Sequence, residues 1–188
     1  MEEEAAGLPD DFGDAEAEKL PLLNAVIMEG LRLYTGVPGS LPRAAPKGGS
    51  TLGGYHIRGG MEVSTQSWTL HRNESLFPNP EKYVSKLPAL LAKVPLTFSS
   101  RFDVSGWLPG SNPLSDAAKA ALSPFSYTGG FRVCLGYNLA LMELRFVSAE
   151  FFHVCRGAKL APSTTPDSMR PMNFFLIMPN KHWCEIIL

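Results

Sequence analysis

Apolar residues recur at helical spacing over two long stretches of this chain and at shorter intervals between them. From Leu22 to Leu33, Leu23, Ile27 and Leu31 fall on one face, and Tyr34 continues it. Pro21 suits a first helical position, where its missing N–H is not needed, and Gly36 and Pro38 mark the end. From Asn138 to about Cys155, a second stripe of Leu139, Met142, Phe146, Ala149 and His153 predicts a helix with that stripe buried, stopped by Gly157. Residues 44–66 instead alternate short apolar pieces with Gly48-Gly49, Gly53-Gly54 and Gly59-Gly60. Strands are expected there near 51–57 and 61–66, paired as a hairpin. Near the C-terminus, 173–178 reads as a strand, Pro179-Asn180 as a turn and 184–188 as the partner strand. Residues 1–19 are polar and acidic, interrupted by Gly7, Pro9 and Gly13. They read as a loose lead-in, with one turn of helix at Asp14–Ala17.

Composition narrows the picture by exclusion. The 17 Lys+Arg against 18 Asp+Glu leave a net charge of -1, which gives no argument for nucleic acid or an anionic membrane surface, and no nucleic-acid partner is expected. Three cysteines, odd in number and far apart at 134, 155 and 184, form neither a disulfide framework nor a zinc pattern. No disulfide partner is expected, and a reducing compartment fits. No apolar run approaches the ~20 residues that span a bilayer. The acidic start Met1-Glu2-Glu3-Glu4 is neither a signal nor a transit peptide, so a cytoplasmic placement is expected of the chain as it stands.

Candidate chemistry centres on Cys134. Gly129 and Gly130 precede it, Arg132 stands two residues before and Gly136 two after, and the second helical pattern follows at once. Each part has a use if the thiol ligates a metal cofactor. Glycines admit sharp turns and close approach to a flat ligand. A helix start favours negative charge. Arg132 offers a fixed cation for a carboxylate on the ligand. The plainer reading is a buried structural thiol.

The stretch from Tyr127 to Gly136 resembles the haem-binding loop of the cytochrome P450 family, the haem-thiolate monooxygenases, whose pattern is F-x-x-G-x-R-x-C-x-G. Gly130, Arg132, Cys134 and Gly136 match; the aromatic place falls on Tyr127, or Phe125 holds it and Thr128-Gly129 is an insertion. Residues 23–34, with Glu29-Gly30-Leu31-Arg32, are similar to the whole K helix of the family. By itself such a pair reads as a solvated helix ion pair. The resemblance instead implies a structural role for Glu29 and Arg32, which bind a further Arg from downstream and lock the core. Arg43, after Pro38 and Pro42, resembles the family residue that reaches a haem propionate; alone it reads equally as a surface Arg. His71, in Thr69-Leu70-His71-Arg72-Asn73, has no second His within helical reach and reads as a structural hydrogen-bonding residue. Cys155 and Cys184 read as plain core or edge residues.

The resemblance, in fungal-like wording, runs from about Leu20 to the C-terminus, so 20–188 is taken as the C-terminal part of the family domain. It is interrupted at 84–106, an atypical insertion or untranslated sequence read through. Trp107-Leu108-Pro109-Gly110 resumes the family wording. The third Arg of the Glu–Arg–Arg set falls on Arg101 or is lost. The implied fold is mainly α with small antiparallel β-sheets (α+β), incomplete. The implied cofactor is haem b (iron protoporphyrin IX), with Cys134 as axial iron ligand and Arg132 and Arg43 on the propionates. The implied reaction inserts one oxygen atom from O2 into a small apolar organic substrate. Electrons would come from NADPH through a cytochrome reductase, at the endoplasmic reticulum membrane facing the cytosol in most members. The upstream membrane anchor and the distal oxygen-activating helix are not found in these residues. A non-catalytic remnant is therefore the alternative for this stretch alone. A nucleophilic Cys134 with a His base is a third reading.

Overall fold

A computed structural model of the chain describes residues 1–77, 80, 104–108, 118 and 134–188. Two short helices open the chain, α1 (Glu2–Ala5) and α2 (Asp14–Ala17), followed by α3 (Pro21–Leu33). Strands β1 (Arg43–Ala44), β2 (Ser50–Leu52), β3 (Tyr55–Ile57) and β4 (Glu62–Val63) come next, then α4 (Ser67–Leu70). A 3-10 turn covers Ser105–Trp107, and the long helix α5 spans Tyr137–Val154. Strands β5 (Lys159–Leu160), β6 (Pro171–Phe174), β7 (Leu176–Pro179) and β8 (Ile186–Ile187) end the chain. Mixed helix with small antiparallel sheets is the fold class expected.

Both long helices form where periodicity places them, but burial is wider than the predicted face on α3 and narrower on α5. In α3 the buried residues are Leu22, Leu23, Ala25, Glu29, Arg32 and Leu33, while Tyr34 is 39% exposed. The charged pair thus lies deeper than the tyrosine of the predicted apolar face. In α5 only Ala149 of the predicted buried stripe is fully enclosed, and Leu139, Met142 and Phe146 are exposed. The described elements α1, α2 and α3 pack on this helix through its Arg145, Ala149 and His153 side, which leaves the upper part of the stripe uncovered.

The sheet pairings also differ from the expected ones. The turn at Gly53-Gly54, with φ of 56° and 83°, falls inside the first predicted strand. Two successive residues with positive φ give a turn whose twist suits tight pairing, so β2 folds directly onto β3. The second predicted strand, β4, pairs back to β1 through Arg43↔Val63 and Ala44↔Glu62. The 173–178 segment is likewise broken at Phe175, φ 80°, whose N–H is held by Asn173 Oδ1 at 3.0 Å. β6 and β7 become the hairpin, and β8 pairs with β5 instead.

Residues 1–19 are not a loose lead-in. Phe12, Ala17, Leu23 and Ala149 form one core cluster that joins α2, α3 and α5. Asp14 and Arg145 meet in a two-pronged ion pair, Nε to Oδ1 and Nη2 to Oδ2, both 2.7 Å. Carboxylates on backbone N–H groups and ion pairs order a segment that its low apolar content alone would not. The helical turn at Asp14–Ala17 does form, with Glu16 Oε2 accepting the Gly13 N–H at 2.9 Å. Among the described residues no helix is long and apolar enough to cross a membrane.

Two outcomes follow. The hydrogen bonds from Arg145 hold the Asp14 carboxyl below its ordinary value of 3.8. The stabilisation is therefore complete above that ordinary value and is lost as pH falls through the lowered one. Thermal unfolding of Asp14→Asn is expected to lie below that of the parent at neutral pH, with the two melting temperatures converging in acid. Thr35 is wholly buried and its hydroxyl has no hydrogen-bond partner among the described residues. Thr35→Val removes that uncompensated polar group and is expected to raise stability by about 1 kcal/mol in chemical denaturation.

Candidate functional site

The polar centre of the molecule lies at the C-terminal half of α3. Residues three apart on a helix share a face, and here Arg32 Nε donates to Glu29 Oε2 at 2.9 Å while Nη2 donates to Oε1 at 2.7 Å. Both side chains are buried, Glu29 at 1% and Arg32 at 4% exposure. A solvated helix pair, the reading these two residues invite alone, is therefore not what forms. Removing two charges from water costs several kcal/mol per ion unless the remaining donors and acceptors are also engaged. Arg32 Nη1 donates to the His71 carbonyl at 3.0 Å and reaches the Pro80 carbonyl at 3.5 Å. Its guanidinium sits 5.4 Å from the Phe77 ring centre. Trp107 Nε1 donates to Glu29 Oε2 at 3.2 Å.

The same segment closes the end of α3. The last carbonyls of a helix lack partners within it. His71 Nδ1 lies 3.2 Å from the Arg32 carbonyl, and Arg72 Nη2 donates to the Leu33 carbonyl at 3.0 Å. Arg72 also stacks on Trp68, 3.4 Å from the ring centre, and adds a cation where the helix end is negative. With Arg32's carbonyl as acceptor, Nδ1 of His71 carries the proton. Among the described residues no three His, Cys, Asp or Glu gather as a metal site would require.

Cys134 stands elsewhere, at the mouth of α5. Its carbonyl accepts the Tyr137 N–H at 3.2 Å, and Gly136 is the N-cap residue, offering no side-chain cap. The thiol is free and exposed, as are Leu135, which is fully exposed, and Leu139. A Cβ on Gly136 would stand 3.9 Å from Sγ, an ordinary van der Waals contact. Arg43, in β1, turns its guanidinium onto the Pro42 carbonyl at 2.8 Å. Arg132 and Arg101 lie outside the described residues, as does most of the 84–106 interruption. Cys184 is exposed and Cys155 half-buried, both free.

The structure thus gathers Glu29, Arg32, His71 and Trp107 into one buried centre and sets Cys134 at an open helix start. Trp107 and Arg72 were missed as partners from sequence. Trp107 carried a signal, because it opens the wording that resumes after the interruption. Arg72 carried none beyond its place beside His71.

A family model, Cytochrome P450, matches residues 4–86. Over 100% of this chain, the sequence is 43% identical to cytochrome P450 monooxygenase aflV of Aspergillus parasiticus and 40% identical to cytochrome P450 monooxygenase stcB of Emericella nidulans. The chain belongs to the cytochrome P450 family. It spans 33% and 32% of those two relatives, about a third of their length. The family match begins inside the segment that docks on α5, not after it. The P450 fold is seen too in the retinoic acid-bound cyanobacterial CYP120A1. That structure superposes on 99% of this chain with a TM-score of 0.70 at 22% identity, using 37% of its own length. The heme domain of cytochrome P450DA does so with a TM-score of 0.68 over 98% of the chain, at 20% identity and 36% of that domain.

In this P450 chain, Glu29→Ala leaves a buried guanidinium without its carboxylate. It is expected to cost about 3–5 kcal/mol. Glu29→Leu combined with Arg32→Met is expected to cost less than that single change, because no uncompensated charge remains. Urea unfolding of the two variants beside the parent measures the difference.

Proposed function

We propose that these residues form the thiolate side of a haem-dependent monooxygenase, with Cys134 as the axial iron ligand. The observation that carries the reading is an exposed thiol at the mouth of an 18-residue helix, in a chain wholly alignable with P450 monooxygenases. The donor set fits the group. A single exposed thiol suits an iron held in a flat macrocycle, and exposed Leu135 and Leu139 offer apolar surface near it. Arg132 and Arg43 are the cations proposed to hold the haem propionates. Arg43 would have to exchange the Pro42 carbonyl for that partner.

Haem ligated by thiolate supplies an iron whose electron density favours O–O cleavage. The residues of this chain contribute the rest of the thiolate side. The exposed place of Cys134 leaves the sulfur accessible, α5 fixes the chain from which it projects, and the Glu29–Arg32 centre keeps α3 in one place. For the whole protein we propose insertion of one oxygen atom from O2 into a small apolar organic substrate, with electrons from NADPH through a cytochrome reductase.

A second reading is favoured by the span of about a third of the relatives' length. On that reading these residues alone take up little or no haem and turn nothing over, because the side that holds substrate and excludes water belongs to the remainder.

The test is spectroscopic. Reduced protein treated with carbon monoxide after haem titration is expected to show a strongly red-shifted Soret band, lost in Cys134→Ser. Failure of the parent chain to take up haem at all supports the second reading. Turnover without haem, abolished by the same substitution, would instead identify Cys134 as a nucleophile.

A further inference from the structure

The first seventeen residues touch both helices that carry the candidate chemistry. The Glu4 carboxylate accepts the Leu22 N–H at 2.9 Å and the Leu23 N–H at 3.0 Å, two of the first-turn donors that α3 cannot satisfy internally. Glu2 Oε1 accepts the Gly157 N–H at 3.0 Å, just past the far end of α5. Between these points Asp14 grips Arg145 by both carboxylate oxygens, and Glu18 lies 3.6 Å from the same guanidinium. The Phe12 ring stands 5.4 Å from Phe146 and 5.9 Å from His153, whose Nδ1 lies 2.9 Å from the Ala5 carbonyl. One segment therefore holds the start of α3 and three successive turns of α5.

A two-pronged guanidinium–carboxylate pair has a fixed planar geometry, so it sets rotation as well as distance. A helix is a stiff rod rising about 1.5 Å per residue, which puts Arg145 about 12 Å along the axis from Tyr137. Rotation or sliding of α5 at Arg145 is passed along that rod to the turn that holds Cys134. We propose that residues 1–17 act as a positioning clip that, through Asp14–Arg145 and Glu4, fixes α5 against α3 and so fixes where the Cys134 thiol stands. Asp14 and Arg145 are positioning residues; neither touches the thiol. The pair is charged throughout the neutral range, because Arg145 lowers the Asp14 carboxyl and Asp14 raises the guanidinium. The geometric claim is independent of haem, whereas its consequence for iron ligation rests on the reading of Cys134 above.

Spin labels test it on the full chain. One label is placed on Cys134 and one on Gly30→Cys in α3, where an added Cβ meets nothing within 4 Å, with Cys155→Ser and Cys184→Ser removing the other thiols. The parent is expected to give one dominant distance. In Asp14→Asn and in Arg145→Lys the ratio of that distance to longer or scattered ones is expected to fall about two- to fivefold, the size set by loss of a partly exposed ion pair. The exchange Asp14→Arg with Arg145→Asp is expected to restore it. An unchanged distance distribution in both single variants overturns the clip. So does a general loss of helical circular dichroism in Asp14→Asn, which would make the pair a global fold element. Haem titration adds the second arm: the thiolate-type Soret band of the reduced, carbon monoxide-treated protein is expected to fall by the same factor in Asp14→Asn. Haem uptake without that band overturns the ligand reading of Cys134, no uptake at all supports the second reading above, and in either case the label distances decide the clip.

Discussion

A guanidinium taken out of water must keep its N–H groups engaged, and meeting that demand for Arg32 organises the first half of the molecule. The Glu29 carboxylate takes two donors and the His71 carbonyl a third. Meeting the third brings a segment nearly forty residues downstream back against α3. Once there, His71 and Arg72 close the carbonyls at the helix end, and Trp107 brings the next described stretch onto the other side of Glu29. The four short strands between α3 and α4 fill the path that this return imposes. Their pairings, two or three residues each, are too small to set it.

Such a centre is a weak source of net stability, since desolvation offsets most of the attraction. Its value here lies in allowing one arrangement. An apolar helix end could slide or rotate against its neighbours, whereas a fork of donors meeting a carboxylate and a carbonyl cannot. The second ion pair, Asp14–Arg145, acts by the same geometry at a less buried place and ties α5 to the opening helices. Among the described residues, the largest wholly enclosed side chains are few, Leu23 and Leu33 foremost. Among the described residues, much apolar surface stays open on α5 and on the 174–176 turn. These are residues of a chain that spans about a third of its P450 relatives.

Particular residues show how much of this was legible beforehand. The bounds of α3 follow from Pro21, the apolar spacing and Gly36, all local signals. The β2–β3 turn was written in Gly53-Gly54, but the expected hairpin of 51–57 with 61–66 ran its first strand through that turn, because three glycine pairs in one stretch look alike locally. The break at Phe175 was not written at all, because a bulky residue with positive φ is held by context rather than propensity. The opening residues looked loose because their order comes from partners far along the chain: Arg145 for Asp14, the backbone of α3 for Glu4 and of Gly157 for Glu2.

Sequence alone settled where the long helices run, that the chain has the wording of a cytochrome P450, and which cysteine stands in the motif. Spacing and turn chemistry are short-range properties, and they are complete in the order of residues. Only the tertiary structure decided that Glu29 and Arg32 lie inside rather than in water, that the stripe on α5 lies largely open, and which strand pairs with which. Burial and pairing are relations between distant segments, and no local pattern states which neighbour will arrive.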